Sequence, residues 1–484
     1  MSLNPRMRVL KNFGALSLGR TLGDVLTFLL FVVLSRIYGE EGTGQYSIAM
    51  ALTGFFAVGV DFGLYSFAIR EMNLPENRSP EGRRRLLGQV FGLRLILGVG
   101  AIIVLALLLP HLSVTGSTST IILWIGIYQV FYLLFDIFMT PFVAEEQMTV
   151  ASGFELGLRG VIALAAVGLA LQGADLETVV AVFPVATLAI GVIGLGVALH
   201  RFGRPTPAEL FGSIRQTMQS SKDFALYVFL RQLASRADII LLGFFLGAIS
   251  AGVYNAAYRI VFMFIFLPYF AGISLLPQAT RLFESEDPSF GPLLSQSVNA
   301  ILILAVPLAA GLWTIAPELI ALFYGSEQFH DSVWILRWLS GLVFLAFLKL
   351  ILGTFLTASQ RQPERVRGQW IAAIVNVVGN LILIPTIGLI GAAITTLVAE
   401  AGAVIYYWYR LRGFVPTLGF PVFLIPTAFG SAVFVVLFGW LWHPPLLVVV
   451  LLSAAIYAGL VFLSPAVRRQ GIPFLLSLRS RTEQ

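Results

Sequence analysis

Apolar runs of roughly 20 residues follow one another along the whole chain, separated by short polar turns. Each run is long enough to cross about 30 Å of hydrocarbon as a helix. None shows the alternation of a membrane β-strand, whose runs reach only about 10 residues. The pattern predicts fourteen spans, over 13–37, 44–69, 87–109, 119–140, 150–172, 176–200, 223–246, 251–274, 296–322, 332–357, 369–387, 389–410, 418–442 and 446–467. The expected fold class is an all-α polytopic membrane protein. The first run, Phe13 to Ile37, is too long for the apolar core of a signal peptide and lacks a small-residue cleavage site, so it is expected to be the first span.

Charge placement orients these spans. With the N-terminus inside, the inside segments hold 22 of the 31 Lys and Arg residues, counting Arg410 at the inner edge of its span, and the outside loops hold none. This positive-inside split predicts both termini in the cytoplasm and an even number of spans in the plasma membrane. One span more or fewer would mix the signs of the later loops. Composition agrees: 58% of residues are hydrophobic and 12% charged, and mean hydropathy is +0.88. The net charge of +6 is then a matter of topology and points away from nucleic acid. Arg83, Arg84 and Arg85 are expected to face anionic membrane lipids. Asn77-Arg78-Ser79 has the glycosylation pattern but falls in a cytoplasmic loop.

One corner occurs twice. LSRIYGEEGTGQY at 34–46 and LGFFLGAISAGVY at 242–254 match at Leu34/Leu242, Gly39/Gly247, Gly44/Gly252 and Tyr46/Tyr254, 208 positions apart. Gly39 and Gly247 suit helix ends that need a positive φ. Gly44 and Gly252 let the next helix start close by. Six spans separate the copies, so both have the same orientation, as in a parallel repeat about the membrane normal. The expected organisation is an N-terminal lobe of spans 1–6 (1–200), a cytoplasmic linker (201–222), a C-terminal lobe of spans 7–12 (223–412), spans 13 and 14 (413–467) and a cytoplasmic tail (468–484). The two six-helix lobes would face a central cavity.

Ionisable residues inside spans are costly and usually meet a cavity or a partner. They concentrate in the spans that open the two lobes: Arg20 and Asp24 in span 1, and Arg231, Arg236 and Asp238 in span 7. Arg20 and Asp24, four apart, could equally neutralise each other. Arg94 in span 3 lacks an obvious partner in its own helix, Glu155 and Arg159 form an i, i+4 pair, and Arg259, Arg337 and Lys349 lie in spans 8 and 10. Asp61, Asp136 and Glu400 are the main acidic counterparts. Asn376 and Asn380 share a face of span 11 and could bond sugar hydroxyls or a neighbouring helix; Tyr128, Gln129 and Tyr132 in span 4 invite the same two readings. Tyr406, Tyr407, Trp408 and Tyr409 read as an aromatic belt. With Arg20 and Arg36 there are nine span-associated cations, eight of them Arg, an excess that favours an anion, one with phosphate oxygens best of all. No Asp, Glu, Lys or Arg occurs from Gly413 to Val467, so spans 13 and 14 are not expected to carry the polar site.

No cysteine is present, and the four histidines sit at span ends without ligand spacing, so no metal site and no cofactor is expected. The longest loops, 70–86, 201–222 and 275–295, are too short to fold alone, and no phosphate-binding glycine loop occurs. A transporter is favoured over an enzyme; a glycosyltransferase on a lipid carrier is the enzymatic alternative.

The Arg20–Asp24 pair, the corner LSRIYGEEGTGQYS and the run SRADIILLGFFLGAISAGVYNAAYR, set in fourteen short-looped spans, resemble the polysaccharide-transporter branch of the superfamily that also holds MATE-type exporters and lipid II flippases. The likeness is greatest to flippases of O-antigen and exopolysaccharide repeat units. The resemblance implies export of a lipid-linked oligosaccharide, carried on undecaprenyl pyrophosphate, by alternating access of two lobes. It implies that Arg20, Arg231 and Arg236 hold the pyrophosphate. Arg94, Arg159, Arg337 and Lys349 would extend a cationic path, and Asp24 and Asp238 would orient arginines or take part in coupling to a proton or sodium ion. Polysaccharide polymerase or assembly proteins are the implied partners. The alternatives are a MATE-like antiporter of organic cations, which predicts an acid-dominated cavity, and a lipid II flippase.

Overall fold

The computed structural model describes residues 5–77, 79–111, 116–145, 147–206, 209–210, 214–265, 267–325 and 327–414. The expected spans 13 and 14 and the tail lie outside the described residues. Among those described there is no strand. Helices run in the order α1 (Pro5–Asp61), α2 (Leu64–Met72), α3 (Pro80–Leu108), α4 (Gly116–Ala144), α5 (Met148–Leu171), α6 (Leu176–Phe202), α7 (Ile214–Leu246), α8 (Ala248–Ile265), α9 (Leu267–Glu284), α10 (Phe290–Thr314), α11 (Ala316–Tyr324), α12 (His330–Ala358), α13 (Gln362–Ile387) and α14 (Leu389–Leu411). A helix closes all its backbone hydrogen bonds within one segment, which hydrocarbon demands. Among the described residues, ten helical stretches are long and apolar enough to cross a membrane.

Expected spans 3–6 appear as α3–α6, and spans 10–12 as α12–α14. Other boundaries differ. Spans 1 and 2 both lie within α1, which is two helices meeting at a kink at Gly39 (φ 66°, ψ −166°), where a helix end is expected. Span 2 then breaks at Phe62 (φ 43°) and Gly63 (φ 70°) and resumes as α2. Span 8 falls within α8 and α9, on either side of Phe266, which lies outside the described residues, and span 9 is divided into α10 and α11. α7, the expected span 7, is not among the ten apolar stretches, because it carries Arg231, Arg236 and Asp238 within its length.

The chain forms two compact units, Met1–Gly252 and Val253–Gln484. In the first, α1 lies along α4, α5 and α7, and α4 lies along α6. α7 joins this unit through contacts such as Phe55 against Phe229, with ring centroids 6.3 Å apart. In the second unit, α12 packs on α10 and α14, and α13 pairs with α14. Ala372, Ala399 and Ala403 form part of that last seam, where small side chains let backbones approach.

Polar contacts at the helix ends follow the predicted alternation of sides. Glu145, after α4, pairs with Arg83 at the start of α3 and with Arg201 at the end of α6 (2.6 Å). Arg84 reaches Glu209 at 3.1 Å. These residues come from segments all expected on the cytoplasmic side. The expectation that Arg83–Arg85 all face lipid is corrected: two are committed to protein carboxylates and Arg85 alone is exposed and unpaired among the described residues. Ser79 caps α3, accepting from the Gly82 amide at 3.0 Å. On the opposite side the Tyr38 hydroxyl donates to the Ala174 carbonyl at 2.6 Å.

Both corner glycines have the expected positive φ, 66° at Gly39 and 85° at Gly247. The second glycine pair does more than start a helix. A methyl group at Gly44 would overlap the Ala248 carbonyl, and one at Gly252 would overlap the Glu40 carbonyl. The two copies of the corner therefore touch, backbone against backbone. Gly44→Val should lower stability by about 1–3 kcal/mol through overpacking. Gly59→Ala, whose added methyl meets open space, should cost nothing. Thermal unfolding of the two purified variants checks the difference.

Candidate functional site

Charged side chains of the first unit are gathered by helices far apart in sequence. Arg94 of α3 is fully buried. It pairs with Asp61 of α1, donates to the Leu133 carbonyl of α4 at 2.5 Å, and stands 3.6 Å from an Asp136 oxygen. The expectation that Arg94 extends a cationic path is corrected: two carboxylates and a carbonyl enclose it, and none of its surface is open. Arg159 of α5 bridges Asp24 of α1 (2.7 Å) and Glu155 one turn earlier (2.6 Å). Gly23 makes room for it, since a methyl there would lie 2.9 Å from Arg159 Cδ. Asp24 thus has a partner on another helix, and its side chain is still 60% exposed. The side chains of Arg20 and Arg231 lie outside the described ones.

Between α1, α4 and α5 lies a cavity of about 260 Å³ lined by Asp61, Tyr65, Tyr132, Asp136, Ser152 and Glu155, among others. The Tyr132 hydroxyl donates to Glu155 at 3.4 Å. The cationic excess expected among the span charges does not hold at this cavity. The three carboxylates line the space, and Arg94 supports two of them from outside its lining. On α7, Arg236 is half-buried and makes no ion pair or hydrogen bond among the described residues, whereas Asp238 is buried and accepts from the Ile239 amide at 2.8 Å.

In the second unit Lys349 of α12 donates to Glu400 of α14 at 2.7 Å. Asn380 donates to Asn376 at 3.1 Å, Asn376 reaches Thr396 at 3.4 Å, and Thr396 shares a 3.2 Å hydrogen bond with Tyr254. All four are buried, so Asn376 is engaged with the neighbouring helix and Asn380 with Asn376 one turn earlier. Arg337 of α12 has no carboxylate partner among the described residues. Its guanidinium lies 4.9 Å from the centroid of the Trp334 ring, and its Nε donates to the Trp313 carbonyl at 3.4 Å. Sequence reasoning missed a clasp that joins the start of α13 to the end of α14. Glu364 accepts from Tyr406, from Arg367 (2.9 Å) and from Arg410 (2.8 Å), while the Tyr407 hydroxyl donates to the Arg365 carbonyl at 2.8 Å. The Tyr406 hydrogen bond, then the two guanidinium charges, hold the Glu364 carboxyl below its usual range. Among the described residues no group of three or more His, Asp or Glu side chains is placed to hold a metal ion.

The family described as polysaccharide biosynthesis protein matches residues 9–283, more than half of the chain. The chain belongs to this family. A relative, the probable low-salt glycan biosynthesis flippase of Haloferax volcanii, is 23% identical over 411 residues, covering 83% of each chain. In fold, the chain is similar to the lipid II flippase MurJ in its inward closed conformation, with a TM-score of 0.72 at 13% identity, over 92% of this chain and 97% of that one. It is also similar to an inward-facing MATE family multidrug transporter, with a TM-score of 0.66 at 14% identity, over 81% of this chain and 95% of that one. This member of the family is a multi-span helical membrane protein with the fold those transporters share.

Removing Arg94 would leave Asp61 and Asp136 without their countercharge. Arg94→Met should cost about 3–5 kcal/mol, and adding Asp61→Asn should recover part of it. Asp24→Asn, which leaves Arg159 paired with Glu155, should cost less than Arg94→Met. Unfolding temperatures of the three variants would establish the order.

Proposed function

We propose that the protein is a flippase. It moves a polyprenyl-pyrophosphate-linked oligosaccharide from the cytoplasmic to the outer leaflet of the plasma membrane by alternating access, for cell-surface polysaccharide biosynthesis. Family membership, the glycan flippase relative and the fold shared with MurJ support this reading. The observation that carries it at the level of residues is Arg236 of α7, a half-buried cation that no carboxylate pairs with among the described residues. An anionic head group supplies the missing countercharge. Arg337 is a second such cation. Arg20 and Arg231 belong to the same proposal by their place in the sequence. Arg159 and Lys349 are part-exposed, so a pyrophosphate can compete for them with Asp24 and Glu400. No bond is made or broken, and the protein acts as a transporter and not an enzyme.

The architecture this reading uses is the fourteen-span one, with lobes 1–200 and 223–412 joined by the 201–222 linker, spans 13 and 14 beside them, and both termini cytoplasmic. The acid-lined cavity is where a coupled proton or sodium ion would act. It is also the one observation that favours the antiporter reading, and one assay separates the two. In liposomes holding a fluorescent polyprenyl-pyrophosphate oligosaccharide, the wild type should flip the lipid. Arg236→Ala should lose at least about tenfold, the equivalent of one 1.4 kcal/mol interaction, with unfolding temperature unchanged. Undiminished flipping by Arg236→Ala would remove the proposed pyrophosphate site. Movement of organic cations down a proton or sodium gradient, with no lipid flipping, would replace the flippase by the antiporter.

The membrane potential enters through the two phosphate charges. An inside-negative potential drives each outward with about 2.3 kcal/mol per 100 mV, so roughly 4–5 kcal/mol for the head group. Flipping should slow when the potential is collapsed at constant pH and sodium; an unchanged rate would exclude a potential-driven step.

A further inference from the structure

α3 and α6 both pack along α4 but barely touch each other. The space left between them is a cavity of about 260 Å³ with Phe138 of α4 in its lining, together with Leu87 and Phe91 of α3 and Leu195 and Leu199 of α6. Beyond it the same two helices present exposed apolar side chains, Ile96 and Val99 on α3 and Val192 and Val197 on α6. Those faces suit hydrocarbon, so an apolar cleft between the helices is open to lipid and closed to ions and sugars.

The end of this cleft is of opposite character. Arg84 and Arg204 line it there, with Gly203, Pro205 and Leu210 of the segment that leaves α6. Gly203 (φ 85°) turns the chain off the helix. Gly88 and Gly92 then let it lie on α3: a methyl at Gly88 would come within 2.9 Å of Pro205 Cβ, and one at Gly92 would overlap the Leu210 carbonyl. Glu209 is fixed in this segment by the Thr206 amide (2.6 Å) and by Arg84 (3.1 Å). The Thr206 hydrogen bond, more than Arg84, keeps its carboxyl below the usual range and therefore ionised. Arg84 is thereby neutralised. Arg204 is exposed and has no partner among the described residues, and Arg85, one residue from Arg84, is in the same position.

We infer that the α3–α6 cleft binds an anionic phospholipid of the cytoplasmic leaflet, with an acyl chain in the cleft and the phosphate on Arg204. Three features select this occupant. The apolar walls offer nothing to a sugar or a free ion, the uncommitted charge at the end is positive, and the site lies at the basic ends of the helices, which the loop charges assign to the cytoplasmic side. A zwitterionic phospholipid fits the walls equally well, but its ammonium group cancels the attraction to Arg204. The bound phosphate also ties residues 203–206, where the chain leaves α6, against α3. This inference concerns a site apart from the proposed substrate cations and stands whether or not the protein is a flippase.

The test uses the purified full-length protein, stripped of lipid and given phosphatidylglycerol or phosphatidylcholine of equal chain length, with retained lipid counted by native mass spectrometry. The wild type should retain phosphatidylglycerol about fivefold more, the equivalent of about 1 kcal/mol from one arginine. Arg204→Gln should erase that preference while leaving the lipid-free unfolding temperature unchanged. Leu199→Trp, which fills the cleft, should weaken retention of both lipids. Equal retention of the two lipids by the wild type, or an undiminished preference in Arg204→Gln, would overturn the proposal. Stoichiometric displacement of phosphatidylglycerol by a polyprenyl phosphate, lost in Leu199→Trp, would overturn it in favour of a substrate-chain site.

Discussion

A charge in hydrocarbon must find its opposite within the protein, and that requirement organises the interior of this molecule. Arg94 with Asp61 and Asp136 joins α3 to α1 and α4. Arg159 with Asp24 and Glu155 joins α5 to α1. Lys349 with Glu400 joins α12 to α14. Apolar side chains cannot hold such helices together by the hydrophobic effect, because lipid tails are as apolar as the helix surfaces. Specific polar pairs and small-residue seams must do so, and the alanine seam of α13 and α14 is the complement of the ion pairs. The same requirement gives Arg236 its significance, because it has no such pair among the described residues.

Much of the fold was legible because two signals are local. Apolar run length marked nearly every helix, and loop charge marked which ends lie together. The ends of α3, α4 and α6 do meet through Arg83, Glu145 and Arg201. The errors came where a span is broken or charged. Phe62 and Gly63 interrupt an apolar run that hydropathy reads as continuous. α7 carries three charges that dilute its apolar character although it is a helix throughout. Whether a span is broken depends on backbone angles at single residues: the glycine at 39 announces its turn, whereas the positive φ of Phe62 is not announced by its residue type.

The candidate site was legible by residue type and less so by pairing. Asp61, Asp136 and Glu400 stood out as the acidic counterparts, and each is engaged with a cation. Their partners lie 33, 42 and 51 residues away in sequence, beyond the reach of any helix periodicity. Reading one helix at a time therefore left Arg94 without a partner, although it is fully buried between two carboxylates. Counting signs of charge also failed to foresee the acid-lined cavity, because Arg94 neutralises two of its carboxylates without lining the space. Tyr406 shows the opposite failure: placed by depth as an interfacial aromatic, it serves through its hydroxyl.

The contact between the two glycine corners has a consequence for the history of the chain. Where Gly44 meets Ala248 and Gly252 meets Glu40, the surfaces in contact are main-chain atoms, common to every residue. Side chains on either side of such a joint can drift without disturbing it, whereas the absence of a side chain at the joint cannot be given up. An ancestral duplication whose halves met in this way would lose its likeness almost everywhere and keep it at a handful of glycines. A corner matched at Gly39/Gly247 and Gly44/Gly252 is the kind of trace such a joint would leave behind.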